Sequence, residues 1–184
     1  MKTFTSYLFA ILCFCAVLTG CKDDEEVAPK STMTYDGKEY DLANGLIIEY
    51  GKYPPHEGNV EQLFLTSSGV KIRANGAKID SIYGVGHAIL FELLTNGDGE
   101  LTVGDYSFDY SQGPYKVNSF VYSYAVFDAD FVTRRQTKYE MISGTVKVAK
   151  DKDNYVITFD CIESNGKQVK GYFNGPIIFY DQKK

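Results

Sequence analysis

Along Ser119–Asp128, SFVYSYAVFD, apolar and aromatic side chains fall on both parities. Phe120, Tyr122, Tyr124 and Val126 occupy one; Val121, Ser123, Ala125 and Phe127 occupy the other. A strand turns successive side chains to opposite faces, so a segment of this kind packs on both sides. The period-two spacing returns at Tyr155–Cys161, with Tyr155, Ile157, Phe159 and Cys161 on one face and Val156, Thr158 and Asp160 on the other. Only Ala88–Leu94, AILFELL, also admits a helical reading. It is short, and Asn96-Gly97-Asp98-Gly99 turns directly behind it, which favours a buried strand.

The remaining segments repeat this grammar of short strands between turn residues. Asp36-Gly37 sits between alternating runs as a type I′ hairpin signal, and Asn165-Gly166 is a second hairpin turn. Leu46–Tyr50 and Val60–Thr66 read as strands, with a return at Val70–Arg73. Glu100–Val103, Tyr106–Tyr110 and Lys138–Ala149 follow, the last with Gly144 as a bend, and Val169–Asp181 closes with a kink at Gly171, Gly175 and Pro176. About ten strands joined by short loops imply an all-β fold, an antiparallel meander. Its apolar face is buried by closing into a lipocalin-like barrel or by folding into a two-sheet β-sandwich; the local hairpins favour the barrel.

Charge narrows the partners. Removing residues 1–20, whose one charge is Lys2, leaves a net charge of about −6. That balance gives no electrostatic footprint for nucleic acid. Only Cys21 and Cys161 lie beyond the apolar N-terminal run, and His56 and His87 are the only histidines. No disulfide framework and no zinc spacing is present, so no metal or cofactor is expected.

Tyr7–Leu18, YLFAILCFCAVL, is too short for a membrane span and suits the apolar core of a signal peptide. Leu18-Thr19-Gly20-Cys21 follows. An ordinary cleavage site carrying a cysteine fits these residues, but all four positions resemble the bacterial lipoprotein signal. The resemblance implies cleavage before Cys21 and lipidation of its thiol with diacylglyceryl and palmitate-type acyl chains, which anchor the protein in a membrane. Lys22-Asp23-Asp24-Glu25-Glu26 reads as a self-repelling tether. The same five residues resemble the surface-export signal of Bacteroidota lipoproteins, which implies exposure on the outer membrane; a periplasm-facing lipoprotein is the alternative. The organisation is then a signal peptide over 1–20, a lipidated linker over 21–30 and one β domain over 31–184.

Gly104-Asp-Tyr-Ser-Phe-Asp, Gly144-Thr-Val-Lys-Val, Tyr155-Val-Ile-Thr-Phe, Asn165-Gly166-Lys167 and Gly171-Tyr-Phe-Asn-Gly-Pro resemble the C-terminal hairpins of small all-β lipoproteins from gut Bacteroidota. The resemblance implies a secreted β domain. It carries no activity over to any residue.

Candidate chemistry is sparse. His87 lacks a placed partner, and Gly84-Val85-Gly86 before it is no phosphate loop. Asn96–Glu100, NGDGE, spaces oxygen ligands as calcium loops do, yet it lacks the sixth-position Gly and the twelfth-position Glu, so a tight turn is favoured. Asp128 and Asp130 could serve a hydrolase, and Cys161 reads as a core residue. Tyr106, Tyr110, Tyr115, Tyr122 and Tyr124 are the remaining candidates to line a ligand site, against the simpler reading that some fill the core. The expected function is a non-enzymatic envelope binding domain for a small apolar ligand, a glycan or a partner protein. An envelope hydrolase and a structural accessory subunit of an outer-membrane complex are the alternatives.

Overall fold

A computed structural model describes residues Pro29–Lys183; Cys21 and the Lys22–Glu26 run lie outside the described residues. All regular structure among these is β. The strands are β1 (Thr32–Tyr35), β2 (Lys38–Asp41), β3 (Asn44–Lys52), β4 (Asn59–Thr66), β5 (Val70–Asn75) and β6 (Lys78–Thr95). They continue with β7 (Gly104–Phe108), β8 (Ser119–Asp130), β9 (Arg135–Asp151), β10 (Asn154–Glu163), β11 (Gln168–Gly175) and β12 (Ile177–Asp181). Ala88–Leu94 is strand, as its shortness and following turn indicate. Glu100–Val103 is not: it is irregular, with the Thr102 backbone hydrogen-bonded to the Glu61 carboxyl of β4.

The sheet follows the order β12-β3-β4-β6-β8-β7-β9-β10-β11-β1-β2, with β5 paired to β6. Six of the twelve pairings join chain neighbours antiparallel, as in a meander; four more are antiparallel between strands that are not chain neighbours, β1–β11, β4–β6, β6–β8 and β7–β9, so the sheet is mixed and not a simple meander. Two are parallel: β12 on β3, and the end of β7 on the start of β8. β8 and β9 pair from Tyr124/Glu140 toward their turn and then part, and β7 fills the gap between them. Only Pro176 separates β11 from β12, although they lie far apart along the hydrogen-bonded path. Leu42 and Ala43 likewise carry the chain from β2 at one end of the path to β3 near the other. Both links are short only because the sheet curls strongly on itself, as a half-barrel.

The concave interior is filled. Phe91 lies 5.7 Å from Phe120 and 5.3 Å from Phe159, ring centre to ring centre. Met33, Leu63, Ile89, Val146, Ile157, Cys161 and Phe173 complete this core. Cys161 shares the face of Ile157 and Phe159, as its parity predicts. β8 departs from simple alternation: Phe120 shares the interior with Ala125 and Phe127, whereas Tyr124 joins a cluster on the outer face. The cause is an extra residue in β8 opposite Leu90–Glu92, with Tyr122 at φ 40°. A bulge shifts side-chain parity by one.

β6 bends at Gly84 (φ 97°), and its first half pairs with β5. This hairpin lays Ile72, Ile79 and Ile82 over Leu46, Ile48, Phe64 and Leu90 on the convex face. A third cluster, Val60, Leu94, Tyr115 and Val121, covers the other end of that face. The surface between the two outer clusters remains open.

Candidate ligand groove

That open stretch is a groove of about 740 Å³ lined by Tyr50, Tyr53, His56, Gln62, Glu92 and Tyr122, with Lys52 and Lys183 at its rim. Its floor is a polar row laid across three strands. Gln62 stands opposite Glu92 in the β4–β6 ladder. The Tyr50 hydroxyl donates to Gln62 Oε1 at 3.3 Å, and Gln62 Nε2 donates to Glu92 Oε2 at 3.0 Å. This relay fixes the Gln62 amide, since its oxygen accepts from one neighbour and its nitrogen gives to the other. Burial pushes the Glu92 carboxyl above the usual range, and the Gln62 hydrogen bond partly opposes that.

The two strand tyrosines of the groove both sit at irregularities. β3 carries one extra residue, Tyr50, between Glu49 and Gly51; β8 carries its extra residue at Tyr122–Ser123. A regular ladder would hold each side chain in the pleat, and a bulge re-aims it. Tyr122 is consequently 57% exposed although it lies within a strand.

The third wall comes from the β3–β4 connection. The His56 ring stacks on Tyr115 at 4.6 Å and on Tyr53 at 5.9 Å. The Tyr115 backbone N–H donates to His56 Nδ1 at 3.1 Å, which leaves Nε2 as the nitrogen free of that contact. The Tyr115 hydroxyl lies 3.1 Å from that of Tyr122. That hydrogen bond, then burial, pushes the Tyr115 phenol up to about 12. Gly58 (φ +71°) lets this connection close against β6: a Cβ there would run into the Thr95 carbonyl and Val117.

The five tyrosines singled out from the sequence do not form one site. Tyr115 and Tyr122 meet at the groove. Tyr106 is buried in the interior, donating to the Thr102 carbonyl at 2.7 Å. Tyr110 is exposed on a loop against Phe108, and Tyr124 sits in the outer cluster under the Lys138 ammonium. Tyr50, Tyr53, His56, Gln62 and Glu92 are the groove residues that strand reading passes over. For Gln62 and Glu92 the signal is a polar residue set within an apolar strand, VEQLFLT and AILFELL; Tyr50, Tyr53 and His56 carry no such signal.

Other candidates take structural places. His87 Nδ1 accepts the Asp128 backbone N–H at 3.2 Å, and its ring packs on Tyr40. Asp130 caps the β8–β9 turn by accepting from the Val132 and Thr133 backbone N–H groups. Comparison with known proteins finds no matching family model, curated protein or solved structure.

Proposed function

We propose that this chain is an envelope-anchored lipoprotein, tethered through Cys21, whose β domain binds an oligosaccharide in the convex groove. The carrying observation is the pairing of re-aimed tyrosine rings with a fixed polar row. Tyr50, Tyr53 and Tyr122 offer flat apolar faces, and Gln62 and Glu92 offer directional donors and acceptors between them. Sugars present that combination, apolar C–H faces edged by hydroxyls.

Two observations favour a glycan over the other ligands. The interior is packed with phenylalanines, which argues against an enclosed apolar ligand. The groove's polar floor suits a hydroxylated ligand better than an apolar protein segment. Glu92 is the sole carboxylate among the described residues of its lining. Glycoside hydrolysis ordinarily takes two across a cleft, so binding is the better reading. An outer-membrane location with surface exposure follows from the resemblance of residues 18–26 to lipoprotein signals.

The test is a glycan array followed by calorimetry on the purified protein. We expect a saccharide ligand, and Tyr53→Ala or Tyr122→Ala to weaken it by about tenfold, equivalent to ~1.4 kcal/mol. An array with no bound saccharide, or binding unaffected by both substitutions, would overturn the glycan reading.

A further inference from the structure

The groove floor runs as one row across four adjacent strands. Tyr50 of β3, Gln62 of β4, Glu92 of β6 and Tyr122 of β8 follow one another along the path β3-β4-β6-β8, so the two re-aimed rings flank the amide and the carboxylate. The relay through Gln62 runs one way, from the Tyr50 hydroxyl to the Glu92 carboxyl. It spends the Tyr50 proton and one Gln62 N–H, and it ends on a group that, once ionised, only accepts. The Tyr122 hydroxyl is engaged with that of Tyr115. What the floor keeps for a ligand is Glu92 Oε1, which no donor among the described residues engages, and the electron-rich faces of Tyr50, Tyr53 and Tyr122. Two N–H groups also remain, the second of Gln62 Nε2 and that of His56 Nε2.

Glu92 is half-buried, and among the described residues no ion pair involves it. The basic groups at the groove do not fill that role. Lys183 Nζ lies 3.2 Å from Glu49 Oε2 and 2.6 Å from Asp98 Oδ1, so two other carboxylates meet its charge. Lys52 stands exposed at the rim. His56 faces Glu92, but its Nδ1 accepts the Tyr115 N–H; a nitrogen that accepts carries no proton, so the ring presents Nε2–H and no net charge. A half-buried carboxylate without a cation, set between ring faces, attracts a positive group in two ways: by charge-assisted hydrogen bonds and through the ring quadrupoles. An anionic ligand meets repulsion at the same place.

We propose that the groove selects a saccharide bearing a free amino group, with the ammonium of a deacetylated hexosamine seated on Glu92 between Tyr50 and Tyr122. The inference rests on the glycan reading of the groove and narrows its ligand to an amino sugar. The ammonium brings three N–H donors and a full charge: Glu92 Oε1 accepts from it, and the flanking tyrosine faces share the rest of the charge. Hydroxyls of the same sugar take the N–H groups left on Gln62 and His56. N-acetylation removes the charge and two of the three donors, so an acetylated unit loses both contributions. A uronic acid sets like charge against Glu92. Glu92 is thus the residue that sets specificity, and the tyrosines are those that hold the sugar.

Calorimetry of the purified protein with a fully deacetylated chitosan tetramer, its fully N-acetylated counterpart and a neutral glucose tetramer tests this, at about pH 6.5, where a sugar amine is largely protonated. The deacetylated tetramer should bind about tenfold more tightly than either of the others, with an affinity that falls as salt is added. Glu92→Gln keeps the side-chain shape and an acceptor for Gln62. It should erase the preference and leave the acetylated and neutral tetramers bound as before. Equal affinity for the deacetylated and acetylated tetramers overturns the amino-sugar inference and leaves the glycan reading standing. So does a preference that persists in Glu92→Gln, or a deacetylated tetramer that stays unbound while the array shows another saccharide bound. An array and three tetramers all without binding overturn both readings. The tetramer comparison uses the native protein alone, so it decides the matter even if Glu92→Gln fails to fold.

Discussion

Tyr115 and Tyr122 meet hydroxyl to hydroxyl at 3.1 Å, tying the loop ahead of β8 to the bulge that aims Tyr122 into the groove. The contact links an outer hydrophobic cluster to an exposed ring, because Tyr115 is buried and Tyr122 is not. Tyr115→Phe keeps the packing and removes only the hydroxyl. It should lower the unfolding free energy by about 1 kcal/mol, whereas Tyr115→Ala also leaves a cavity and should cost about 3–4 kcal/mol. Urea denaturation separates the two. Equal losses would show that the hydroxyl, and not the ring, dominates.

Glu61 makes stability depend on pH. Burial, opposed in part by the Thr95 hydrogen bond, raises its carboxyl from 4.5 to about 7. Across that window the folded protein keeps a proton that the unfolded chain has released, so stability falls as pH rises from about 4.5 to about 7 and then levels. The loss attributable to this group is of order 3 kcal/mol. Glu92, also raised by burial, contributes with the same sign. Denaturation from pH 5 to 8 should therefore show a decline that Glu61→Gln reduces without abolishing. A profile identical in the variant would remove Glu61 as its source.

Much of the fold was legible because local chemistry and tertiary structure agree. At Asp36-Gly37 both residues take positive φ, 50° and 74°, as the type I′ reading demands. Tyr155–Cys161 alternates cleanly because β10 pairs with both β9 and β11 without a register shift over these residues. Reading failed where long-range contacts override local pattern. Glu100–Val103 has strand composition, yet Thr102 is drawn onto Glu61 of β4, and the segment stays irregular. The first half of β6 was missed because its partner is β5, across a turn at Gly76, and its isoleucines cover an outer face with no sequence marker. The groove was illegible for a related reason. Bulges at Tyr50 and Tyr122 arise from mismatched register between strands, which neither strand reveals alone.

Cys161 should be chemically silent in the folded protein. Its thiol is fully excluded from solvent, and burial pushes it up to about 12, so little thiolate forms at neutral pH. If Cys21 carries acyl chains, the processed protein exposes no other thiol. A disulfide reagent at pH 7.5 should then label nothing in the native state and one thiol per chain in denaturant. Fast native labelling would mean that the interior opens readily or that Cys21 is unmodified; Cys161→Ala distinguishes them, since only the second persists.

The proposed anchor makes the most direct prediction about location. On the proposed lipoprotein reading, Thr19-Gly20 supplies the small residues ahead of the cleavage point, and the thiol of Cys21 would be the acceptor that forms a thioether. Cys21→Ala should abolish incorporation of radiolabelled palmitate and move the protein from the membrane fraction; continued labelling would remove the lipoprotein reading. Replacing Asp23, Asp24, Glu25 and Glu26 with Ala separates tether from export signal. A tether tolerates the change, since a neutral linker still spans the distance. An export signal does not, and the altered protein should stay lipidated while becoming resistant to protease added outside intact cells. Unchanged protease sensitivity would leave these acids as a solvated stem alone.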